Sequence, residues 1–459
     1  MATELSTLLS DVGYAKVIVA LKPQAAGQSA AAAEDSLAAH FTIPSERQAE
    51  SLAAVAMRSA SKKFKRPKSL ESRPVRVYPH LGLAVGFVNQ QGAAALAADN
   101  RVENVVPAPE LSLIKPVAAQ PAKLTSQPTW GVTRLKVLQL WSAGFTGEGV
   151  VVGHLDTGVD GRHPALKDAI KAFAEFDLAG DQVTGAQAHD SATHGTHTAG
   201  TIVGRVTNKG AFGVAPGAKL ASAMVIEGGQ VTDRILAGMD WVLAQGARIL
   251  SMSLGLRGYT DAFQVVIDAL RNQNVLPVIA AGNEGPGTSR SPGNYANVLS
   301  VGACDQNDLV ADFSSSQLFD RPGDPLVPDL VAPGVDVLSC VPGNKYERMD
   351  GTSMATPHVA GLAAVLLQAK PTATVDELEA AIFASCQLPA GMLQARGNRG
   401  IPDALEAFRQ LIGNLPEAAE AAAPRYRKRA RGAARRRTAR RGGDRRIAAS
   451  RKRTAIRRK

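Results

Sequence analysis

This chain has few cysteines and no long apolar stretch. Its three cysteines, Cys304, Cys340 and Cys386, are odd in number and widely spaced, which fits neither a disulfide framework nor a metal-ligand pattern. We expect buried, unreactive thiols, as in a reducing compartment. Every apolar run is far shorter than the roughly 20 residues that cross a bilayer, so we expect no transmembrane segment.

The N-terminus also lacks the pattern of a secretory signal. Glu4 and Asp11 stand where a signal peptide carries positive charge, and the apolar run from Val17 to Leu21 is too short for its hydrophobic core. We therefore expect no signal peptide, and the cytoplasm is favoured over export by another route.

Charge is distributed unevenly along the 459 residues, whose length predicts two or more folded units. Residues Arg425–Lys459 contain 15 Arg, three Lys and one Asp, a net charge of +17, so the total of +11 leaves −6 for residues 1–424. This basic tail is predicted to be disordered and to attract nucleic acid or other anionic surfaces, or to serve only as a solvated solubility tail. Its single aromatic residue, Tyr426, argues against base-specific recognition.

The N-terminal part of the chain combines predicted strands with an alanine-rich helix. A proline-rich stretch, Pro107–Pro128, follows and has the composition of a linker. Strands are predicted at Val17–Leu21, Val75–Tyr78, Leu83–Val88 and Val102–Val106, and a helix at Gln91–Ala98.

From Gly149 onward, short apolar runs alternate with helical patterns, which indicates a parallel sheet covered by helices on both faces. The reactive groups of such sheets collect beyond the carboxyl ends of the strands. Asp156 directly follows one predicted strand and Asn283 lies just past another, so both belong to this edge. The strands are predicted at Val150–Leu155, Lys219–Val225, Arg248–Leu254, Val275–Ala281 and Val298–Ala303, with helices at Asp233–Ala244 and Phe263–Arg271.

Four segments carry groups suited to nucleophilic catalysis: HLDTGVD with Asp156, HGTHTAGT with His194, GTSMATPHVAG with Ser353 and AAGNEG with Asn283. A carboxylate and an imidazole together activate a hydroxyl, and an amide stabilises an oxyanion. Ser353 starts an almost wholly apolar helix, Met354–Gln368, which is predicted to be buried. A capping role is the alternative for this serine, but it does not explain the accompanying Asp and His segments.

These segments, in the order Asp, His, Ser, resemble the subtilisin-like serine peptidases over Trp130–Leu411. The resemblance implies that Asp156 orients His194 and that His194 is the general base for Ser353. It implies that the side chain of Asn283 binds the oxyanion. It also implies a three-layer α/β/α domain with a mostly parallel central sheet.

The N-terminal unit resembles the inhibitory propeptides of the same family, which fold as a small ferredoxin-like α+β sandwich. By this resemblance, residues 1–113 are a propeptide-like domain, 114–129 a linker, 130–415 the peptidase domain and 416–459 an Arg-rich disordered tail. We expect self-cleavage between Pro107 and Pro128, because a linker there can reach the active site of its own molecule.

The resemblance also assigns roles around these groups. His197 and His358 are expected either to support the catalytic residues by contact or to pack in the core. HGTH is not expected to be a zinc pair, because no third ligand arrives at zinc-site spacing. Glu284 and Arg290 either bias the substrate pocket electrostatically in opposite directions or are solvated. The residues expected to line the substrate cleft are Gly228, Gly229, Ser253, Leu254, Gly255, Ala280, Ala281 and Gly282.

One position departs from the pattern of the family. Many relatives hold a calcium ion with an Asp just after the His-Pro pair that follows the catalytic Asp, and here that position is Ala165. The matching loop brings Arg205 and Lys209 to where a dication would sit. We therefore expect no metal at this site and no cofactor.

The favoured function is a serine endopeptidase that acts on polypeptides and is made as a zymogen. Its expected partners are polypeptide substrates and its own N-terminal domain, and we expect a monomer. One alternative is a binding or scaffold protein on an inactive peptidase fold, against which the four intact groups argue. The other is a nucleic-acid-binding protein led by the tail, which the acidic folded part makes secondary.

Overall fold

A computed structural model describes residues 2–22, 30–43, 73–206, 210–226, 231–321 and 323–422. The strands within these residues, in chain order, are β1 Ala15–Leu21, β2 Val75–Tyr78, β3 Leu83–Val88, β4 Val102–Pro107, β5 Ser112–Leu113, β6 Ala118–Ala122, β7 Val151–Asp156, β8 Ile170–Glu175, β9 Lys219–Met224, β10 Ile249–Met252, β11 Leu254–Arg257, β12 Leu276–Ala280, β13 Arg290–Ser291, β14 Leu299–Cys304, β15 Gln317–Leu318, β16 Leu326–Val327, β17 Leu330–Pro333, β18 Val337–Val341 and β19 Lys345–Asp350. The α-helices are Ala2–Val12, Ala30–Leu37, Gln90–Ala98, Trp130–Arg134, Val137–Ser142, His194–Val203, Thr232–Ala244, Gln264–Asn272, Thr352–Ala369, Val375–Ala384, Gln394–Gly397, Ala404–Ile412 and Glu417–Ala422.

The first four strands form one antiparallel sheet in the order β2-β3-β1-β4. The element order β-α-β-β-α-β is that of a ferredoxin-like sandwich. Successive side chains of β1 point to opposite faces of this sheet. Val17 and Val19 pack with Leu37 and Leu96 of the helices on one face, whereas Ile18 belongs to the core on the other face.

That second face is buried against the rest of the chain. Ile18 and Leu83 belong to the same hydrophobic cluster as Ile235 and Met239 of the helix Thr232–Ala244. Fully burying an aliphatic side chain contributes about 1.5–3 kcal/mol. The N-terminal sheet therefore shares a core with the domain that follows it.

The domain that follows is built on a seven-stranded sheet in the order β17-β14-β12-β10-β7-β9-β8, in which all neighbouring strands are parallel. Every residue of β10, β12 and β14 is buried, as the continuous apolar runs predict. The predicted α/β fold is confirmed. The predicted strand Arg248–Leu254 is divided between β10 and β11, because Ser253 belongs to neither strand.

The helix Thr352–Ala369 is buried from Thr352 to Leu367, which confirms the prediction from its apolar sequence. It packs against the helix His194–Val203 and against β10, β12 and β14. Small residues permit this packing: a Cβ added to Gly361 would lie 2.6 Å from Cβ of Val214. The starts of both helices carry predicted site residues.

The segment 114–129, predicted to be a linker, contains a strand. β6 pairs with β19 along its whole length, from Ala118 opposite Asp350 to Ala122 opposite Tyr346. Its side chains are mostly exposed, so backbone hydrogen bonds hold it and no hydrophobic pattern reveals it. Proline is tolerated in such a strand at a sheet edge, where a missing N–H costs little.

No helix among the described residues has the length and apolar character to span a bilayer.

Candidate active site

Asp156 and His194 are brought together from a strand and a helix. Asp156 is the last residue of β7, and His194 is the first residue of the helix His194–Val203. Nδ1 of His194 lies 2.7 Å from Oδ1 and 2.9 Å from Oδ2 of Asp156, and both residues are buried. The carboxylate therefore engages one ring nitrogen of His194 and leaves Nε2 for another group.

Further donors hold the carboxylate of Asp156. The backbone N–H of Thr157 donates to Oδ1 over 2.7 Å, and the hydroxyl of Thr198 lies 3.1 Å from Oδ2. Burial raises the pKa of Asp156, but the charge and hydrogen bond of His194 outweigh burial, so the pKa lies below its ordinary value. Asp156 is thus kept ionised beside the imidazole.

Ser353 is the second residue of the helix Thr352–Ala369 and is fully buried. Its hydroxyl donates to the backbone carbonyl of Ile114 over 2.6 Å. Nε2 of His194 is buried and has no hydrogen-bond partner among the described residues. The hydroxyl is therefore engaged by the backbone of its own chain and not by the imidazole.

The side-chain amide of Asn283 is held at its oxygen end. Oδ1 accepts the backbone N–H of Thr352 over 2.9 Å and the hydroxyl of Thr352 over 2.8 Å. Nδ2 is left for other groups and donates to the carbonyl of Lys115 over 2.9 Å. The carbonyls that meet Ser353 and Asn283 thus belong to neighbouring residues of one peptide segment.

The residues before Lys115 lie along one predicted wall of the cleft as an added strand. β5 pairs antiparallel with β11, so that Leu113 stands opposite Leu254 and the ladder continues to Gly255. The backbone N–H of Ile114 donates to the carbonyl of Ser253 over 2.9 Å. Ile114 itself is only 1% exposed. The pairing is made by backbone groups, as in peptide recognition by strand addition.

A second predicted wall, Ala280 to Gly282, continues from the end of β12. Gly282 has φ +122°, and a Cβ there would lie 2.8 Å from Oγ of Ser315, so the turn requires glycine. This turn presents the next residue, Asn283, to the cleft. Gly228 and Gly229 of the third predicted wall lie outside the described residues.

The segment in the cleft continues past Lys115 to the other side of the site. The backbone N–H of Val117 donates to the carbonyl of Asp350 over 2.8 Å, and β6 then pairs with β19. Backbone hydrogen bonds therefore hold this segment on both sides of Ser353.

Glu284 and Arg290 form an ion pair next to the cleft. Nε of Arg290 lies 3.0 Å from Oε1 of Glu284, and Nη1 donates to the carbonyl of Gly255 over 3.2 Å. Arg290 is only 7% exposed, so the alternative of a solvated side chain is wrong. Nε of Arg257 also lies 3.3 Å from Oε1 of Glu284, so two guanidinium groups surround this carboxylate.

His197 and His358 are packing residues, one of the two roles expected of them. Nε2 of His197 lies 3.0 Å from the carbonyl of Val337, and Nδ1 of His358 lies 2.8 Å from the carbonyl of Met354. In the part of the chain that the structure describes, no group of three or more His, Cys, Asp or Glu side chains could hold a metal ion.

Several residues of the site could not be predicted from sequence motifs. Thr352, which holds Asn283, has no signal beyond its place before Ser353. His154 interrupts an apolar strand and Thr198 lies within a buried helix, and polar residues at buried positions are a usable signal. Ile114 and its neighbours give no signal, because a peptide bound through its backbone can have almost any sequence.

Comparison with protein families finds a match over the part of the chain that carries these residues. The family model described as the subtilase family (Peptidase_S8) matches residues 147–407. The four predicted catalytic residues lie within this range, and the N-terminal sheet lies outside it.

Curated relatives match a little more than half of the chain. Subtilisin Savinase of Lederbergia lenta is 39% identical over 245 residues, which are 53% of this chain and 85% of that protein. M-protease of Shouchella clausii (strain KSM-K16) is 38% identical over 266 residues, 58% of this chain and 66% of that protein. Subtilisin E of Bacillus subtilis (strain 168) is 36% identical over 251 residues, 53% of this chain and 62% of that protein. The chain thus spans just under two thirds of the last two relatives.

Proposed function

Because this chain belongs to the subtilase family of serine peptidases, we propose that it is an endopeptidase that hydrolyses polypeptides through an acyl-enzyme on Ser353. The observation that carries the proposal is the buried pair of Asp156 and His194 beside a cleft in which Ser353 and Asn283 both bind one peptide segment. A scaffold protein on an inactive fold does not need all four groups.

The proposed reaction assigns one task to each group. Nε2 of His194 removes the hydroxyl proton as Oγ of Ser353 attacks the substrate carbonyl carbon. Asp156 stays ionised and stabilises the imidazolium. Nδ2 of Asn283 and the backbone N–H of Ser353, at the positive end of its helix, bind the oxyanion. His194 then protonates the leaving amine, and water hydrolyses the acyl-enzyme by the same proton transfers.

Polypeptide substrates are proposed to bind as this chain's own segment does. Backbone pairing with Ser253, Leu254 and Gly255 tolerates many sequences, which suits a protease of broad range. Gly228 and Gly229 are proposed to form the opposite edge, and residues Ala280 to Gly282 the pocket wall.

We further propose that the N-terminal sheet is a propeptide that the enzyme itself removes. Ile114 has its carbonyl at Ser353, its N–H at Ser253 and its side chain buried, which favours the Ile114–Lys115 bond as the cut site. Asn283 holds the carbonyl of Lys115 and has to exchange it for that of Ile114 when the oxyanion forms. The neighbouring alternative, cleavage after Lys115, gives Pro116 as the new N-terminus.

The same contacts support the further proposal that this unit inhibits the enzyme before and after the cut. The segment fills the position of a substrate, and the sheet behind it shares a core with the helix Thr232–Ala244. A cut propeptide therefore stays bound until it unfolds or is degraded.

A fluorophosphonate probe with intact-mass analysis tests the function. Wild-type protein is expected to gain one probe mass on Ser353, and Ser353→Ala is expected to gain none. Full labelling of the mutant would place the nucleophile elsewhere, and a wild-type protein that neither reacts nor hydrolyses peptides would favour a scaffold.

For the tail Arg425–Lys459, we propose binding to anionic polymers such as nucleic acid. Its net charge of +17 supports this proposal, because release of counterions drives such binding. Affinity of the full chain for DNA is expected to fall steeply with salt and to be lost when the tail is removed. Equal, salt-independent affinity of both forms would show that the tail does not bind DNA and would favour the alternative of a solubility tail.

A further inference from the structure

A second buried histidine lies next to Asp156. His154 precedes it by two residues on β7, so both side chains lie on one face of the sheet. Nε2 of His154 lies 2.9 Å from Oγ1 of Thr198 and 3.7 Å from Oδ2 of Asp156. Nδ1 lies 3.0 Å from Oγ of Ser222, and the whole residue is 1% exposed. The proposed reaction assigns no task to His154, Thr198 or Ser222.

The charge of Asp156 decides which ring nitrogen of His154 carries the proton. The carboxylate of Asp156 lies on the Nε2 side of the ring and favours a proton there. Nε2 of His154 then donates to Thr198, and Nδ1 accepts the hydroxyl of Ser222. The Thr198 hydroxyl in turn donates to Oδ2, because an ionised acceptor binds a donor more strongly than the two helix carbonyls within 3.2 Å do.

A neutral His154 is required for this chain of hydrogen bonds. Burial lowers its pKa, the charge of Asp156 raises it, His194 lowers it and Asp190 raises it, and the balance lies below the ordinary value. The neutral ring keeps one donor and one acceptor nitrogen, which is what the two neighbours need.

We propose that His154 is a positioning residue that acts on the catalytic carboxylate through Thr198. The hydrogen bonds that run from His154 through Thr198 give Oδ2 of Asp156 a donor with a fixed direction. The backbone N–H of Thr157 gives one to Oδ1. Held at both oxygens, the carboxylate does not rotate and keeps the ring of His194 aligned. The inference rests on the proposed peptidase function.

The alternative is that these polar side chains only fill space in the core. Thr198→Val and Thr198→Ser separate the two roles, since valine keeps the shape and removes the hydroxyl, whereas serine keeps the hydroxyl and removes the methyl group. If Thr198 only packs, the serine variant is expected to lose more activity than the valine variant. If Thr198 positions Asp156, the valine variant is expected to lose more.

Thr198→Val is expected to lower kcat about 10- to 100-fold at unchanged KM. The apparent pKa of the acidic limb of kcat/KM is expected to rise. Without the Thr198 hydroxyl, the negative charge of Asp156 acts more strongly on His194 and favours its protonated form. Thr198→Ser retains the hydroxyl and is expected to keep most of the rate lost in Thr198→Val, with the acidic limb near its wild-type position. Unchanged kinetics in the valine variant, or equal losses in both variants, would overturn the proposal.

Variants of His154 give a second, independent test. Gln can place an amide N–H near the position of Nε2, so His154→Gln is expected to keep more activity than His154→Leu. The double variant His154→Leu/Thr198→Val is expected to be no slower than the slower single variant, because the two residues act as one unit. If the losses in rate of the two single variants multiply in the double variant, or if the Gln variant is as slow as the Leu variant, His154 does not act on Asp156 through Thr198.

All variants are compared per active site, titrated with the fluorophosphonate. If the wild-type protein reacts with the probe and Ser353→Ala does not, the proposed function stands and the Thr198 and His154 variants decide the inference alone. If the wild-type protein, freed of its N-terminal unit, fails to react, the function itself is wrong, whatever these variants do.

Discussion

Thr352 directs two donors, its backbone N–H and its hydroxyl, to the side-chain oxygen of Asn283, over 2.9 and 2.8 Å. An amide with its oxygen engaged in this way has its nitrogen end fixed before any substrate arrives. Fixed donors stabilise developing charge without reorganisation during the reaction.

Asn283→Ala is expected to lower turnover about 10²–10³-fold with little change in KM, because the lost donor acts on charge that appears only in the transition state. This magnitude is known for the corresponding donor of subtilisin, a member of the same family, and is borrowed from it. Initial rates on a peptide substrate measure it. Unchanged turnover with a raised KM would make Asn283 only a wall of the pocket.

Thr352→Val tests the fixing of that amide. It removes the hydroxyl that holds Oδ1 and keeps the backbone donor, so a smaller loss of kcat than in Asn283→Ala is expected. Thr352→Ser retains the hydroxyl and serves as the matched control. A valine variant with the wild-type rate would contradict a role for Thr352 in positioning.

Maturation is expected to produce Lys115 as the new N-terminus. Ile114 is held at both its N–H and its carbonyl within the cleft. N-terminal sequencing of purified wild type and of Ser353→Ala checks this, and the mutant is expected to stay full-length. A fully active uncut wild type, or a mutant cut at the same bond when expressed alone, would exclude self-cleavage.

Asp240 is expected to anchor the N-terminal unit. Its carboxylate accepts the backbone N–H groups of His80 and Leu81 over 2.7 and 3.1 Å. Both donate to Oδ1, so Asp240→Ala leaves both N–H groups without this acceptor. Hydrogen bonds to a charged group are each worth about 1.5–3 kcal/mol. The lag before activity appears is therefore expected to shorten about 10-fold or more.

The control for this experiment is Asp240→Asn, which keeps one acceptor oxygen and is expected to have an intermediate lag. Progress curves on a peptide substrate, started from freshly purified protein, give the lag directly. Equal lags in wild type and both variants would show that Asp240 does not retain the propeptide.

Chelation is expected to leave the melting temperature nearly unchanged. The guanidinium of Arg205 donates to the carbonyls of Asp168, Pro216 and Ala218, and its backbone N–H donates to the carbonyl of Ala165. A cation therefore finds these oxygens already engaged. Calcium at 1,000-fold its dissociation constant would add about 4 kcal/mol, so a large fall in melting temperature in EGTA contradicts the prediction.

Stability is expected to fall in weak acid because of two buried histidines. Burial lowers the pKa of His197 to about 3 and that of His358 to about 4, against about 6.5 in an unfolded chain. Below about pH 6.5 the unfolded state binds protons that the folded state does not bind, so this contribution is present above that pH and is lost as pH falls toward 4. The expected slope is about 1.4 kcal/mol per pH unit for each histidine.

Urea unfolding of Ser353→Ala, which avoids self-digestion, measures that slope. Adding His358→Gln is expected to remove the share of one histidine, and carboxylates contribute equally to both proteins. An identical slope with and without His358 would contradict the assignment.

The positions of Asp156 and Ser353 in the fold were predictable from local sequence. Asp156 stands at the end of an apolar run and Ser353 at the start of another, so hydrophobic periodicity placed both at element ends. The same periodicity predicted the parallel sheet and the buried helix, because continuous apolar runs need cover on both faces.

The partners of these groups depend on the folded chain. The hydroxyl of Ser353 meets the carbonyl of Ile114 across 239 positions of sequence. Glu284 and Arg290 form an ion pair because a turn at Gly282 and the neighbouring strand bring their side chains together. Likewise, the polar chain from His154 to Asp156 needs a helix packed on a strand. The contacts of Ser353 and of His154 arise from packing between distant segments. Backbone pairing like that of β6 leaves no side-chain pattern from which it could be predicted.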